Sequence, residues 1–132
     1  MSLPTIDKDD DRVLATGTHM GFAWSVLHNT MGYRCGYVSL PVGHPWHGKS
    51  YGADIIDSID VHGGITFGKT GTEGEWWLGF DCAHGGDAQD PELPSRYRMP
   101  IFSDDRVCTQ SYVESQCLEL CVQAKEAQGD QT

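Results

Sequence analysis

Residues 22–40, with the sequence FAWSVLHNTMGYRCGYVSL, decide the fold that the sequence predicts. Residues 22–27 and 33–40 are rich in aromatic and β-branched side chains, which is typical of β-strands. The link between them contains Asn29 and Gly32, two residue types that favour turns. The stretch therefore predicts an antiparallel β-hairpin.

A second hairpin is predicted further along the chain. Residues 60–68 and 75–81 are strand candidates, and the link 68–74 between them is rich in glycine. Proline and glycine are so dense in residues 43–49 that this segment is predicted to be a loop. Residues 82–106 contain several prolines and aspartates and are predicted to be irregular.

The C-terminal part has the periodicity of a helix. Ser111 and Glu114 match a capping box. Apolar side chains then recur on one helical face at Val113, Cys117, Leu120, Cys121 and Ala124. The prediction is an α+β fold: a small antiparallel sheet of two hairpins, long glycine-rich loops and a C-terminal helix packed on the sheet. We expect a mobile lead-in over 1–18, one domain over 19–128 and a tail over 129–132.

The composition restricts the partners. Nine Lys and Arg against 19 Asp and Glu give a net charge of −10, so a nucleic acid would be repelled. An acidic decoy of nucleic acid is disfavoured, because such decoys usually need a long continuous charged face and the acids here are scattered outside residues 7–11. Five cysteines make a poor disulfide framework. Since no apolar run approaches a membrane span, we expect no membrane partner and a cytoplasmic, reduced protein.

The middle of the chain carries the residue types of a functional surface. Thirteen of the 16 glycines and four of the six histidines lie between Gly32 and Gly86. Glycine weakens strands, so this concentration indicates tight turns or a close approach of backbone to something else. We therefore expect the functional surface between Tyr33 and Asp87.

One apparent motif is rejected. Residues 63–70 satisfy the phosphate-loop pattern G-x-x-x-x-G-K-[ST]. A true phosphate loop is followed by a helix whose N-terminus faces the phosphate. Here Gly71 and Gly74 follow, and then a predicted strand, so the match is attributed to chance.

A metal site is one hypothesis. Its predicted ligands are the imidazoles and thiol that Zn²⁺ favours: His44, His47, His62, His84 and Cys82. Asp81 could orient one of them. A different use of Cys82 is as a nucleophile beside His62 or His84, but a thiolate needs a positive environment, and Cys82 fits equally as a small buried residue. No catalytic residue is assigned.

A ligand-binding cleft without turnover is the other hypothesis. In it Tyr37 and Trp77 stack on the ligand, because Trp77 lies on the opposite strand face from the predicted core residues 76, 78 and 80. Arg34 and Lys49 neutralise charge on an anionic, nucleotide-like ligand. His62 and His84 donate hydrogen bonds.

Several segments together resemble a family of small proteins encoded by bacteriophages and prophages. The similar stretches are 32–38, 43–45, 62–66, 76–84 (WWLGFDCAH) and 112–114. The resemblance implies a setting, a phage-infected cell, and not a reaction. By analogy, small acidic phage proteins of this kind counter host defence, sometimes by sequestering a nucleotide signal.

Three functions therefore stay open. The first is a phage-type accessory protein that binds a small anionic ligand without turnover, with assembly into a homo-oligomer as part of the hypothesis. The second is a zinc-dependent hydrolase that uses the His/Cys/Asp residues. The third is an inhibitor whose aromatic surface docks on a host protein. The first two depend on His44, His47, His62 and His84 meeting beside Trp77.

Overall fold

The computed structural model of the protein describes residues 12–129. Within this range the fold is α+β, with a five-stranded antiparallel sheet, a short parallel ribbon and a C-terminal helix packed against the sheet. In chain order the elements are β1 (Val13–His19), β2 (Phe22–His28), β3 (Arg34–Leu40), α1 (Asp54–Asp57), β4 (Phe67–Thr70), β5 (Trp76–Asp81), β6 (Asp87–Ala88), β7 (Arg106–Val107) and α2 (Gln110–Gln128).

The five strands follow the order β1-β2-β3-β5-β4, and each neighbouring pair is antiparallel. The first predicted hairpin, β2 with β3, is confirmed. The second pairs β4 with β5, but its first strand covers only 67–70 of the predicted 60–68. Gly63 and Gly64 both have positive φ, 71° and 79°, so the backbone turns where a strand was expected. Lys69 and Thr70 lie on β4 and no helix follows them, which confirms that the phosphate-loop match is accidental.

Strand β1 was not expected. The lead-in predicted over 1–18 is wrong for 13–18, which pair with β2 along the sheet edge. Met20 and Gly21 join these strands with φ angles of 54° and 87°, the two positive values that a tight hairpin turn needs. Residues 1–11 and 130–132, which complete the predicted lead-in and tail, lie outside the described residues.

The N-cap of α2 lies two residues before the predicted one. Thr109 is the N-cap, and its Oγ1 accepts a hydrogen bond from the Tyr112 amide at 3.2 Å. Glu114 instead accepts from the Gln110 side chain at 2.8 Å, so the Ser111–Glu114 capping box is wrong. The predicted apolar stripe is confirmed, since all five of its residues are buried. Neither helix of the described part combines the length and apolar character needed to cross a bilayer.

The main core lies between α2 and one face of the sheet. Strand β5 shows the alternation that was predicted, with Leu78 and Phe80 in this core and Trp77 on the opposite face. A smaller cluster on that opposite face joins Trp77 to Tyr37 and Cys35. All five cysteines are buried and free.

Two long connections leave the sheet and meet beside the first turns of α2. We call them the first loop (41–66) and the second loop (82–109); they contain only α1, β6 and β7 as regular structure. The first loop is fixed to α2 by the His62 amide, which donates to Gln116 Oε1 at 2.8 Å. The second loop is fixed by Arg34, which donates to the Cys108 carbonyl at 2.8 Å and to Asp90 at 2.6 Å. The two loops thus meet at one end of the helix.

Candidate metal centre

Five potential metal donors converge where the two loops meet. They come from both loops and are His62, Cys82, His84, Asp87 and Cys108. His62 lies in the turn that the Gly64 amide closes by donating to the Val61 carbonyl, whereas Cys82 directly follows β5. Cys108 immediately precedes the N-cap of α2. The sheet, the helix and both loops therefore fix the relative positions of these side chains.

The inner part of the cluster is a set of soft donors. The ligand atoms of His62, Cys82 and Cys108 all lie within 4.8 Å of one another. Cys108 Sγ is 3.6 Å from His62 Nε2. Tetrahedral zinc with Zn–N and Zn–S bonds of about 2.0 and 2.3 Å places these two ligand atoms about 3.5 Å apart. The observed separation therefore suits a shared ion.

Asp87 lies against the same atoms. Its Oδ1 is 2.9 Å from His62 Nε2 and 3.7 Å from Cys108 Sγ. Its Oδ2 accepts the His84 amide at 3.0 Å, and the Asp87 amide donates back to the His84 carbonyl at 2.9 Å. This tight turn fixes the carboxylate beside the thiols.

The contacts of His62 separate a metal centre from a catalytic triad. In a triad the base uses one ring nitrogen toward the nucleophile and the other toward the carboxylate. Here the thiol of Cys108 and the carboxylate of Asp87 both approach Nε2, while Nδ1 lies 2.8 Å from the Tyr112 hydroxyl. A metal on Nε2 leaves the ring proton on Nδ1, where it donates to Tyr112, the arrangement that orients histidine ligands.

The surroundings oppose a free thiolate at Cys82. Its hydrogen bond with Cys108 and then its burial raise the pKa of Cys82 well above its ordinary value. Burial, followed by the nearby thiols, also raises the pKa of Tyr112, so its hydroxyl stays protonated. Without a cation Cys82 is therefore a neutral thiol and a poor nucleophile, whereas a bound metal deprotonates such a group.

The centre lies between two open clefts. One, of about 310 Å³, is lined by His62, Asp87, Cys108, Arg106 and Tyr112, together with Gly86 and Val107. The other, of about 420 Å³, has an aromatic wall and a polar rim. It is lined by Asn29, Cys35, Tyr37, Thr66, Phe67, Phe80, Asp81, Ala83 and His84. The cluster can therefore be reached from solvent on both sides.

His84 connects the centre to the second cleft. Its ring lies over Gly63, where an added Cβ would be 2.4 Å from His84 Cε1. Its Nδ1 is buried and has no hydrogen-bond partner among the described residues. Two carboxylates flank this atom, with Asp81 Oδ1 at 3.4 Å and Asp87 Oδ2 at 3.7 Å.

The structure brings together three of the five predicted metal ligands, His62, His84 and Cys82. His44 and His47 are elsewhere: His44 Nε2 is 2.8 Å from the Ala124 carbonyl, and His47 Nε2 is 2.8 Å from the Gly74 carbonyl. Along α2, Ala124 is about 18 Å from Tyr112, the contact of His62. The expected meeting of four imidazoles beside Trp77 is therefore wrong.

The six predicted ligand-binding residues do not share one cleft. Tyr37 and His84 line the larger cleft and His62 lines the smaller one, whereas Arg34, Lys49 and Trp77 line neither. The charge of Arg34 is matched by buried Asp90. Although burial opposes ionisation of Asp90, hydrogen bonds from Glu92 and Arg34 lower its pKa.

The other two residues of that set have structural contacts. Trp77 is buried, and its Nε1 donates to Glu75 at 3.2 Å. Lys49 is exposed and its carbonyl accepts from Trp76 at 2.9 Å. Stacking on Trp77 and neutralisation by Arg34 are therefore not available in the form that the sequence suggested.

Sequence reasoning missed Asp87 and Cys108 as members of the centre. Asp87 ends the expected functional stretch, and its spacing from His84 matches the turn that positions it. Cys108 lies 26 residues after Cys82 with no flanking motif, so nothing local connects the two. Its only signal was its position three residues before Ser111, the predicted cap of the C-terminal helix.

Comparison with protein-family models, with curated proteins and with solved structures found no significant match to this chain.

Proposed function

We propose that this protein binds Zn²⁺ through His62, Cys82 and Cys108, and that the ion faces a small ligand in the adjoining cleft. The observation that carries the proposal is the approach of a thiol and a carboxylate to the same nitrogen of His62. Nδ1 has its own partner in the Tyr112 hydroxyl, and Nε2 faces a thiol and a carboxylate at once, which is how donors gather around a metal ion.

The donor set favours zinc. Thiolate and imidazole are the ligands of choice for Zn²⁺, and two thiolates would balance its charge. The ion would connect the first loop to the second, which together contain little regular structure. Zinc would then also stabilise the folded protein, because the free energy of binding to the folded state adds directly to its stability.

Hydrolysis is the second candidate, and Asp87 favours it. Three protein ligands leave a fourth position for water, which is typical of catalytic zinc. A carboxylate beside one histidine and two cysteines is the combination found in hydrolytic zinc deaminases, where the acid moves protons. Asp87 would accept a proton from the activated water. With Asp87 as the fourth ligand instead, the site would bind without turnover.

The phage setting implied by the resemblance is compatible with both candidates. In that setting the ligand would be a small host molecule, including a nucleotide signal of the defence response. Arg106, which is exposed and lines the smaller cleft, would supply positive charge toward it. A panel of such molecules, followed for both thermal shift and product formation, separates sequestration from turnover.

The zinc proposal is tested by metal content and cobalt substitution. We expect about one zinc per chain in protein purified without chelator, and a thiolate-to-cobalt charge-transfer band after exchange with Co²⁺. Cys108→Ala should lose both signals. Cys121→Ala is the matched control, because it removes another buried thiol that lies outside the cluster.

The outcomes are unambiguous. Metal content far below one per chain, or a cobalt spectrum without the thiolate band, would reject the proposal. Equal loss of zinc in the Cys108 and Cys121 variants would reduce the effect to general destabilisation.

A further inference from the structure

We propose a second cation position beside the first, formed by His84 and Asp87 with Asp81 at its rim. The ligand atoms of His62, His84 and Asp87 lie within 4.8 Å of one another, so a second group of potential ligands adjoins the group that contains the thiols. This position differs from the zinc site because its own donors are one nitrogen and carboxylate oxygens.

The first observation is the unsatisfied nitrogen of His84. A buried polar atom without a partner is rare and calls for an explanation such as an unseen ion. His84 Nδ1 is such an atom, and both nearby carboxylates lie beyond hydrogen-bonding geometry at 3.4 and 3.7 Å. A cation among these three groups would use the lone pair that nothing else uses.

The second observation is the orientation of Asp87. Its Oδ1 approaches Cys108 Sγ at 3.7 Å, while its Oδ2 is 3.7 Å from His84 Nδ1. Both oxygens also lie near His62 Nε2, Oδ1 at 2.9 Å and Oδ2 at 3.1 Å, so the carboxylate lies between the Cys108 thiol and His84 and faces both. Carboxylates in this arrangement bridge pairs of ions about 3.5–4 Å apart. The inference of a bridged pair of ions depends on the proposed zinc site, whereas the inference of the outer position alone does not.

The third observation is rigidity. Asp81 accepts hydrogen bonds from the Ala83 amide at 3.1 Å and from Thr66 Oγ1 at 2.9 Å. The ring of His84 lies on Gly63, where no side chain would fit. Both groups therefore keep their positions without an ion, which lowers the entropy lost on binding.

The chemistry indicates a harder cation than the inner set selects. Imidazole and carboxylate with open solvent positions suit Mn²⁺ or a similar divalent ion. Because His62 Nε2 can bind only one ion, an inner zinc would leave the outer ion with His84, Asp87, Asp81 and water. The larger cleft, which His84 and Asp81 line, would supply that water.

The test is a Mn²⁺ titration followed by electron paramagnetic resonance, on full-length protein carrying one equivalent of Zn²⁺. Free Mn²⁺ gives a signal that disappears on binding, so wild type should remove about one equivalent. His84→Ala should weaken Mn²⁺ binding by at least about tenfold. His47→Ala is the matched control, since its imidazole binds the Gly74 carbonyl away from the centre, and it should behave as wild type.

Each outcome has one interpretation. No Mn²⁺ uptake by wild type, or equal uptake by wild type and the His84 variant, would overturn the second position. Retention of the cobalt–thiolate band in that case would leave the zinc proposal intact. Mn²⁺ binding that depends on His84 in protein without that band would overturn the zinc proposal alone.

Discussion

Two pairs of buried cysteines show how differently the two parts of this molecule use one residue type. Cys117 and Cys121 lie between α2 and the sheet, where their nearest acceptors are carbonyls of β2 at 3.7 and 3.9 Å. Cys82 and Cys108 lie in the loops, beside each other and the His62 imidazole. Burial raises the pKa of the helix pair to about 12 and about 11, so those thiols are packing groups.

The difference is in the neighbours and not in burial. A thiol surrounded by apolar side chains contributes as a small hydrophobic residue. A thiol surrounded by nitrogen, sulfur and oxygen donors can take part in coordination. The pair on α2 should therefore contribute to stability by packing alone, whereas the pair in the loops should contribute through the ion.

The largest expected effect is that of metal removal. If free Zn²⁺ exceeds the dissociation constant about a thousandfold, the ion stabilises the fold by about 4 kcal/mol. In a domain of this size a chelator should then lower Tm by roughly 10–20 °C. Differential scanning calorimetry with and without chelator measures the change.

The cysteine pairs provide the controls. Cys108→Ala should melt at the same temperature with and without chelator, because it has no ion to lose. Cys121→Ala should keep the full chelator effect on a lower baseline. A chelator effect that persists in the Cys108 variant would place the stabilising ion elsewhere.

Two glycines give the next largest contrast. At Gly36 an added Cβ would lie 2.4 Å from the Phe80 ring and 2.8 Å from Cys117 Sγ. Gly36→Ala should therefore cost about 1–3 kcal/mol by overpacking and leave metal content unchanged. Gly63→Ala puts a side chain at positive φ, which should lower the free energy of unfolding by about 1–2 kcal/mol. It also displaces the His84 ring, so Mn²⁺ should bind more weakly.

Urea denaturation in the presence of chelator measures the unfolding free energy of each variant without the metal contribution. The Mn²⁺ titration measures the Mn²⁺ affinity of each variant. A Gly63 variant with wild-type Mn²⁺ affinity would show that the position of His84 does not matter. A Gly36 variant that loses metal would show that packing under the sheet reaches the centre, and the separation of the two regions would fail.

The same contrast explains what the sequence could predict. The helix stripe and the alternation of Leu78 and Phe80 repeat with the period of their element, so they could be recognised locally. The centre joins residues 62, 82, 84, 87 and 108, whose proximity is set by the sheet and by where each loop returns. Histidine density located the region, but it could not exclude His44, whose ring is fixed near the other end of α2.

His44 gives the smallest expected effect and tests that exclusion. Its Nε2–H donates to the Ala124 carbonyl, and its Nδ1 accepts the Trp46 amide at 3.0 Å, so the folded protein needs the neutral ring. Burial lowers the pKa of His44 below its ordinary 6.5. Between 6.5 and the lower folded value the unfolded chain takes up a proton that the folded protein refuses, so stability falls as pH falls through this window.

One such group changes the free energy of unfolding by at most about 1.4 kcal/mol per pH unit, and this pH dependence is absent above pH 7. His44→Gln should therefore lower stability at pH 7.5 but flatten the pH dependence of stability just below pH 6.5, measured by urea denaturation in chelator. A variant with the slope of wild type would mean that His44 titrates normally. In that case its ring would be free to bind other groups, and the assignment of His44 to packing, on which the comparison of the two regions depends, would have to be withdrawn.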